Sequence, residues 1–169
     1  MICNRVWAMP SADTFTVPPI KEFVERNIKG RSVIVDPFAR ESKYGTVTND
    51  LNPDCATDYH MDALDFLRLF DDKSVDCVIY DPPYSPRQIS ECYKGVGRTV
   101  TTETTQASWR AKQLDEIKRI LKDDGAVLCF GWNSNGVGKK RGFDMREVLI
   151  VAHGGSHNDT ICTYEVKTA

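Results

Sequence analysis

Long apolar runs are missing: no stretch of the 169 residues approaches the roughly 20 that a membrane-spanning helix needs. The opening residues, Met1-Ile2-Cys3-Asn4-Arg5, do not lead into a signal peptide. No Cys-x-x-Cys pair is present. The six cysteines are scattered (Cys3, Cys55, Cys77, Cys92, Cys129, Cys162), which argues against a structural zinc and against a disulfide framework. Cys77 and Cys129 stand inside apolar strand candidates, where cysteine is a small hydrophobe. A reducing, cytoplasmic setting is the expectation. Positive charge is not in excess either, with 22 Lys and Arg against 24 Asp and Glu and a net charge of −2. A nucleic-acid partner therefore needs its positive charge gathered on one face, and the available clusters are Lys139-Lys140-Arg141, Arg110 with Lys112, and Lys118-Arg119 with Lys122. What remains is ordinary soluble content, 41% apolar and 27% charged, at a length that suits one domain with one core.

The stretch that organises the chain is Val75-Asp76-Cys77-Val78-Ile79-Tyr80-Asp81-Pro82-Pro83-Tyr84-Ser85. Its first half is a buried strand by content. Two consecutive prolines then end the strand, because neither has an N–H for a ladder. Asp81 thus stands at a strand's carboxyl end, where open α/β sheets bind ligands. A carboxylate, a rigid Pro82 carbonyl and the Tyr84 ring suit a planar amine such as adenine N6: two acceptors for its hydrogens and a ring on its face.

Before this stretch, Val17-Pro18-Pro19-Ile20-Lys21 opens a helix whose Ile20, Phe23, Val24 and Ile28 share one face and which Gly30 stops. A buried strand follows and ends in Asp36-Pro37-Phe38-Ala39-Arg40. The alternating Thr46-Val47-Thr48-Asn49-Asp50-Leu51 is a second strand ending on an acid, Asp50, which is placed either for ribose hydroxyls or as a cap. Tyr59-His60-Met61 is a third short strand, leading through Asp62 and Ala63 into a helix that Asp62 also suits as a cap.

After the central motif, residues 85–106 form a loop of about twenty residues, rich in Thr and Gly, expected to be a mobile substrate-side flap. Residues 107–121 are the clearest helix, with Leu114, Ile117, Ile120 and Leu121 inward. A strand over 126–130 runs into the polar loop Gly131-Trp132-Asn133-Ser134-Asn135-Gly136-Val137-Gly138-Lys139-Lys140-Arg141. An aromatic and a basic cluster there suit base handling and phosphate contact, the alternative being an ordinary exposed loop. Residues 143–151 and 160–166 alternate as a closing hairpin. The connection between them carries His153, His157 and Asp159, but two glycines and the absence of a further ligand make it a turn rather than a metal site. His157 and Asn158 can still border the substrate face.

In order, Pro-Ile-Lys, Asp-Pro-Phe, Asp50, Asp62 and Asp81-Pro82-Pro83-Tyr84 resemble the S-adenosylmethionine-dependent DNA adenine-N6 methyltransferases over nearly the whole chain, most of all the small versions encoded by phages and prophages. The departure is Ala39-Arg40, standing where that family commonly has a glycine-rich turn. The resemblance implies a Rossmann-like class I methyltransferase fold, a mostly parallel seven-stranded sheet with a C-terminal antiparallel hairpin and helices on both faces. It implies S-adenosylmethionine as cofactor, held by Pro19, Ile20, Lys21, Asp36, Pro37, Phe38, Ala39, Asp50, Leu51, Asp62, Ala63 and Asp81. Catalysis falls to Asp81, Pro82, Pro83 and Tyr84, by direct methyl transfer that needs no metal. Ser85, Arg87, Trp132, Asn133, Lys139, Lys140 and Arg141 are the candidates for contact with DNA, either duplex with a flipped adenine or single-stranded. One methyltransferase domain fills the length and leaves no room for a separate target-recognition domain, so short or relaxed specificity is expected, with or without a homodimer partner. The alternatives are an RNA base amino methyltransferase (adenine N6 or guanine N2) and a module that has lost catalysis.

Overall fold

Seven strands make the centre of the computed structural model, which describes residues 1–101 and 107–169. They are β1 (Ile2–Trp7), β2 (Ile34–Asp36), β3 (Val47–Thr48), β4 (Val75–Tyr80), β5 (Leu121–Gly131), β6 (Phe143–Ala152) and β7 (Thr160–Lys167), in the order β1-β6-β7-β5-β4-β2-β3. β7 is antiparallel to β5 and β6, and every other pair is parallel. Among the described residues four α-helices accompany them: α1 (Pro18–Ile28), α2 (Ala63–Leu67), α3 (Pro86–Gly95) and α4 (Ala107–Ile120).

The faces are set by strand alternation. Cys77 and Ile79 of β4, with Ala126, Leu128 and Phe130 of β5, meet Ile20, Phe23 and Val24 of α1. The intervening Val78 and Tyr80, with Val127 and Cys129, point the other way, against Phe66 and Leu67 of α2 and Leu114, Ile117 and Ile120 of α4. Both faces of the central strands are therefore covered, which is why those strands read as continuous apolar runs. Cys77, Cys129 and Cys162 are buried in these two cores as free thiols.

Four features differ from the sequence expectation. Residues 1–16 show no periodicity, yet β1 extends the sheet edge beside β6. All six of its residues are exposed, so burial leaves no alternation to read, and backbone pairing alone makes the strand. The expected flap at 85–106 begins instead as α3, while residues 102–106 lie outside the described residues. The second strand shrinks to Val47–Thr48, because the Asp58 carboxylate takes the Thr48 N–H (2.8 Å) and hydroxyl (3.0 Å). The third strand is reduced to one Asn49–Tyr59 bridge.

Candidate active site

β2 and β4 are neighbours at the point where the chain's winding reverses direction, and such a point opens a crevice at the strands' carboxyl ends. A cavity of about 690 Å³ lies there, within the range of small-ligand sites. Its wall takes Pro37 and Phe38 from the end of β2, Asp50 and Leu51 after β3, and Asp62 and Ala63 at the start of α2. Asp81, Pro82, Pro83 and Tyr84 after β4 and Ile20 of α1 complete it. Five segments far apart in sequence are thus brought to one space.

The remaining candidates lie differently. Asp36 and Ala39 are buried behind the wall, while Pro19 and Lys21 stand outside the cavity lining. Ser85 caps α3, its hydroxyl accepting the Gln88 N–H at 3.2 Å. Arg87 is exposed and paired with Glu91 at 2.9 Å. Trp132 packs edge-on against Tyr84, ring centroids 5.7 Å apart, and Asn133 is exposed beside it.

Lys139, Lys140 and Arg141 are not brought to the cleft. They form a 3₁₀ turn that leads into the start of β6, where Phe143 is paired with Lys167 at the end of β7, and Arg141 binds Asp115 of α4 at 2.7 Å. Neighbouring Val166 pairs with Ala126, at the amino end of the apolar part of β5. The basic cluster therefore lies at the sheet end opposite the cavity. Residues 131–142 travel the full height of the sheet, so proximity to Trp132 in sequence does not become proximity in space.

Local chemistry holds the wall together. The buried Asn49 side chain donates to the Pro37 and Met61 carbonyls (3.1 and 2.9 Å) and accepts the Met61 N–H (3.0 Å), tying three loops. Arg40 takes the left-handed conformation (φ 51°) that a glycine would adopt without strain. Its N–H donates to the Asp50 carboxylate at 3.0 Å and its guanidinium to the Ala12 carbonyl at 2.8 Å. The turn thus keeps a glycine-like backbone while its side chain fastens the N-terminal segment.

Two carboxylates of the cavity wall are engaged by tyrosines, one just before α3 and one within it. Tyr84 donates its hydroxyl to Asp81 at 2.5 Å, and Tyr93 donates to the Asp62 carboxylate, whose other oxygen caps α2 through the Leu64 N–H. Burial pushes the Asp81 carboxyl above its ordinary value, against the Tyr84 and Thr14 hydroxyls and the Arg40 charge, which pull it down. Asp36 is pushed well above: burial dominates, the Phe38 N–H opposes it, and the charges of Asp81 and Asp50 add to the rise. Among the described residues, one Asp36 carboxylate oxygen has no hydrogen-bond partner.

No protein-family model matches this chain, and none of the curated proteins does. Solved structures do. The 1,6-didemethyltoxoflavin-N1-methyltransferase of Burkholderia thailandensis, with bound 1,6-didemethyltoxoflavin and S-adenosylhomocysteine, aligns at TM-score 0.59 and 11% identity, over 89% of this chain and 77% of that one. A SAM-dependent methyltransferase from Archaeoglobus fulgidus gives 0.58 and 11%, over 89% and 92%. TrmN from Thermus thermophilus gives 0.57 and 17%, over 89% of this chain but 49% of its own length.

The fold is that of the class I S-adenosylmethionine-dependent methyltransferases.

The residues present fit that cofactor. Asp50, Asp62 and Asp81 put three carboxyl groups in the cavity lining, which suits a ligand carrying both an ammonium and a sulfonium, while Asp36, buried behind them, has its carboxyl pushed well up. Asp50, whose carboxylate accepts the Arg40 and Asn52 N–H groups, and Asp62 with Ala63 beside it face the same cavity. Ile20 supplies an apolar wall.

Sequence reasoning missed Thr14, Asn49, Tyr93, Trp109, His153 and Thr160, all lining the cavity. His153 gives its two ring nitrogens to the Ala8 carbonyl (2.9 Å) and the Thr160 hydroxyl (2.8 Å), which sets it in the wall.

Proposed function

We propose that this chain is an S-adenosylmethionine-dependent methyltransferase that methylates the N6 amino group of adenine in DNA, with the base extruded from a duplex or presented by a single strand. The observation that carries this reading is the placement of Asp81-Pro82-Pro83-Tyr84 at the carboxyl end of β4, in one cavity with Asp50 and Asp62.

When bound, S-adenosylmethionine supplies a methyl group already activated on a sulfonium with a neutral leaving group. The protein's work is then position and electrostatics. Adenine N6 is a weak nucleophile because its lone pair is delocalised into the ring. The Asp81 carboxylate and the Pro82 carbonyl accept its two hydrogens, favour a more tetrahedral nitrogen and stabilise the positive charge that grows there. As N6 becomes cationic its N–H bonds become acidic, and one proton leaves toward Asp81 and solvent. Tyr84, backed by Trp132, gives the ring face on which the base stacks, worth about 1–3 kcal/mol. The basic residues beside the mouth are Arg87 and Lys94 of α3 and Arg98 just after it, and phosphate contact belongs to them rather than to residues 139–141.

Asp81→Ala is expected to abolish turnover, by about a thousandfold or more, while calorimetry shows cofactor affinity within about threefold of wild type. An active Asp81→Ala protein would refute the assigned role. Absence of cofactor binding in the wild type would favour a module without catalysis.

A further inference from the structure

α3 opens with Ser85 at its N-cap, Pro86 and Arg87 in its first turn, and Gln88 three residues after the cap. A glutamine at that position ordinarily reaches back to the N–H of the cap residue, while the cap hydroxyl takes the glutamine's own N–H. Half of that exchange is present, since the Ser85 hydroxyl accepts the Gln88 N–H at 3.2 Å. The other half is displaced by one residue: the Gln88 side-chain oxygen accepts the N–H of Tyr84, not of Ser85, at 2.6 Å. A backbone N–H can only donate, so the atom facing it is the amide oxygen and the carboxamide has one orientation. Its nitrogen is then turned away from that backbone, and among the described residues nothing accepts its two hydrogens. Gln88 is half-buried and lines the cavity together with Asp81, Pro82 and Tyr84.

We propose that Gln88 donates to the ring nitrogen flanking the target amine and so selects the base. This rests on reading Asp81-Pro82-Pro83-Tyr84 as the amine-binding group. Tyr84 links the parts: its N–H fixes the Gln88 carboxamide, its hydroxyl donates to Asp81 at 2.5 Å, and its ring is the stacking face. Asp81 and the Pro82 carbonyl accept from the amine, and Gln88 donates beside them. Acceptors next to a donor call for the reverse pattern on the base, an amino group next to an unprotonated ring nitrogen. Adenine offers it on both sides of N6, at N1 and at N7. Guanine brings O6 and thymine O4 to the place of the amine, which sets acceptor against acceptor. Cytosine matches through N4 and N3, but its single ring covers less of Tyr84. A glutamic acid would complete the same capping contact, so the cap alone does not call for an amide. What glutamine adds is the two spare hydrogens.

The test measures kcat/KM of wild type and Gln88→Glu on oligodeoxynucleotides in which every adenine is kept, or replaced by 1-deazaadenine or by 7-deazaadenine. The variant keeps the acceptor for the Tyr84 N–H but has no hydrogen to give, and thermal unfolding checks that its fold is retained. Wild type is expected to prefer adenine over one of the two analogues by about tenfold or more, which identifies the nitrogen that is read. In Gln88→Glu that preference is expected to vanish or reverse, because a carboxylate repels a ring nitrogen's lone pair. Comparing ratios cancels any uniform effect of the new charge on DNA binding. The same ratios in both proteins would overturn the proposal and leave the assigned methyl transfer standing.

A second readout needs no turnover: the ¹⁵N side-chain amide of Gln88, followed by NMR as adenosine, 1-deazaadenosine or 7-deazaadenosine is added to wild type with S-adenosylhomocysteine present. If the wild type methylates no nucleic acid, the assigned activity fails and this titration decides. An amide signal that shifts with adenosine and not with one of the analogues supports the contact; equal shifts with all three, or none with adenosine, overturn it.

Discussion

Asp36 is the residue whose chemistry is most constrained by its surroundings. It is fully buried at the end of β2, its carboxyl is pushed well above the ordinary range by that burial, and among the described residues one oxygen has no partner. The folded state therefore holds a proton that the unfolded chain releases near pH 3.9. The sign follows: stability falls as pH rises from that value through the raised folded one, then levels off. Asp36→Asn keeps an acceptor for the Phe38 N–H and removes the titration. Its melting temperature is expected to fall less than that of wild type between about pH 4 and 8. Thermal scans at several pH values check this, and equal slopes would contradict the raised carboxyl. The positions of Asp36, Asp50 and Asp81 were legible in sequence because each ends a run whose apolar or alternating pattern places it at a strand tip, and that of Asp62 because it suits the cap of α2. Thr14 and Asn49 were not, since a polar side chain's partner is set by chain distant in sequence, and nothing local distinguishes a wall-building Asn from a turn residue.

Among the elements, α3 carries the least apolar surface near the site, with only Ile89 and Tyr93 buried, and this is why residues 86–95 read as loop. Its start was nonetheless written locally: Ser85 at the N-cap and Pro86 in the first turn are standard helix-opening signals. Tyr93 closes the helix onto Asp62, and under the proposed function the cofactor's adenine amine competes with its hydroxyl there. Tyr93→Phe removes the competitor, so the cofactor dissociation constant by calorimetry is expected to fall several-fold; weaker binding would show that the tyrosine hydroxyl assists the cofactor instead. On the opposite face, α1 is held to β6 by a two-pronged Arg26–Glu147 pair at 2.7 and 2.9 Å, with Glu147 buried and its carboxyl lowered chiefly by the Arg26 hydrogen bond. Arg26 is itself half exposed, so Arg26→Ala is expected to cost about 1–2 kcal/mol in urea unfolding. The wild-type contribution is present above the ordinary glutamate range and is lost as pH falls through the lowered folded value.

At the scale of the molecule, the order of strands and helices was readable because both faces of β4 and β5 are covered, so their apolar runs could only belong to a central sheet. The sheet's edges were not: β1 buries nothing, and β3 is completed by side chains rather than by a longer ladder. Among the described residues, no helix is long and apolar enough to cross a membrane. The basic cluster at 139–141 shows the general difficulty, since a loop's sequence tells its composition but not which end of the sheet it reaches. With a net charge of −2 and that cluster at the far end, the proposed function leaves phosphate contact to the few basic residues on and just after α3, and methylation is expected to weaken steeply with added salt only if several phosphates are bound. The most direct test is incubation of the protein with radiolabelled S-adenosylmethionine and, separately, duplex DNA, single-stranded DNA and RNA, followed by nucleoside analysis. Label in N6-methyldeoxyadenosine, absent with Asp81→Ala, is the expected result; label confined to RNA or to another base, or undiminished in Asp81→Ala, would contradict it.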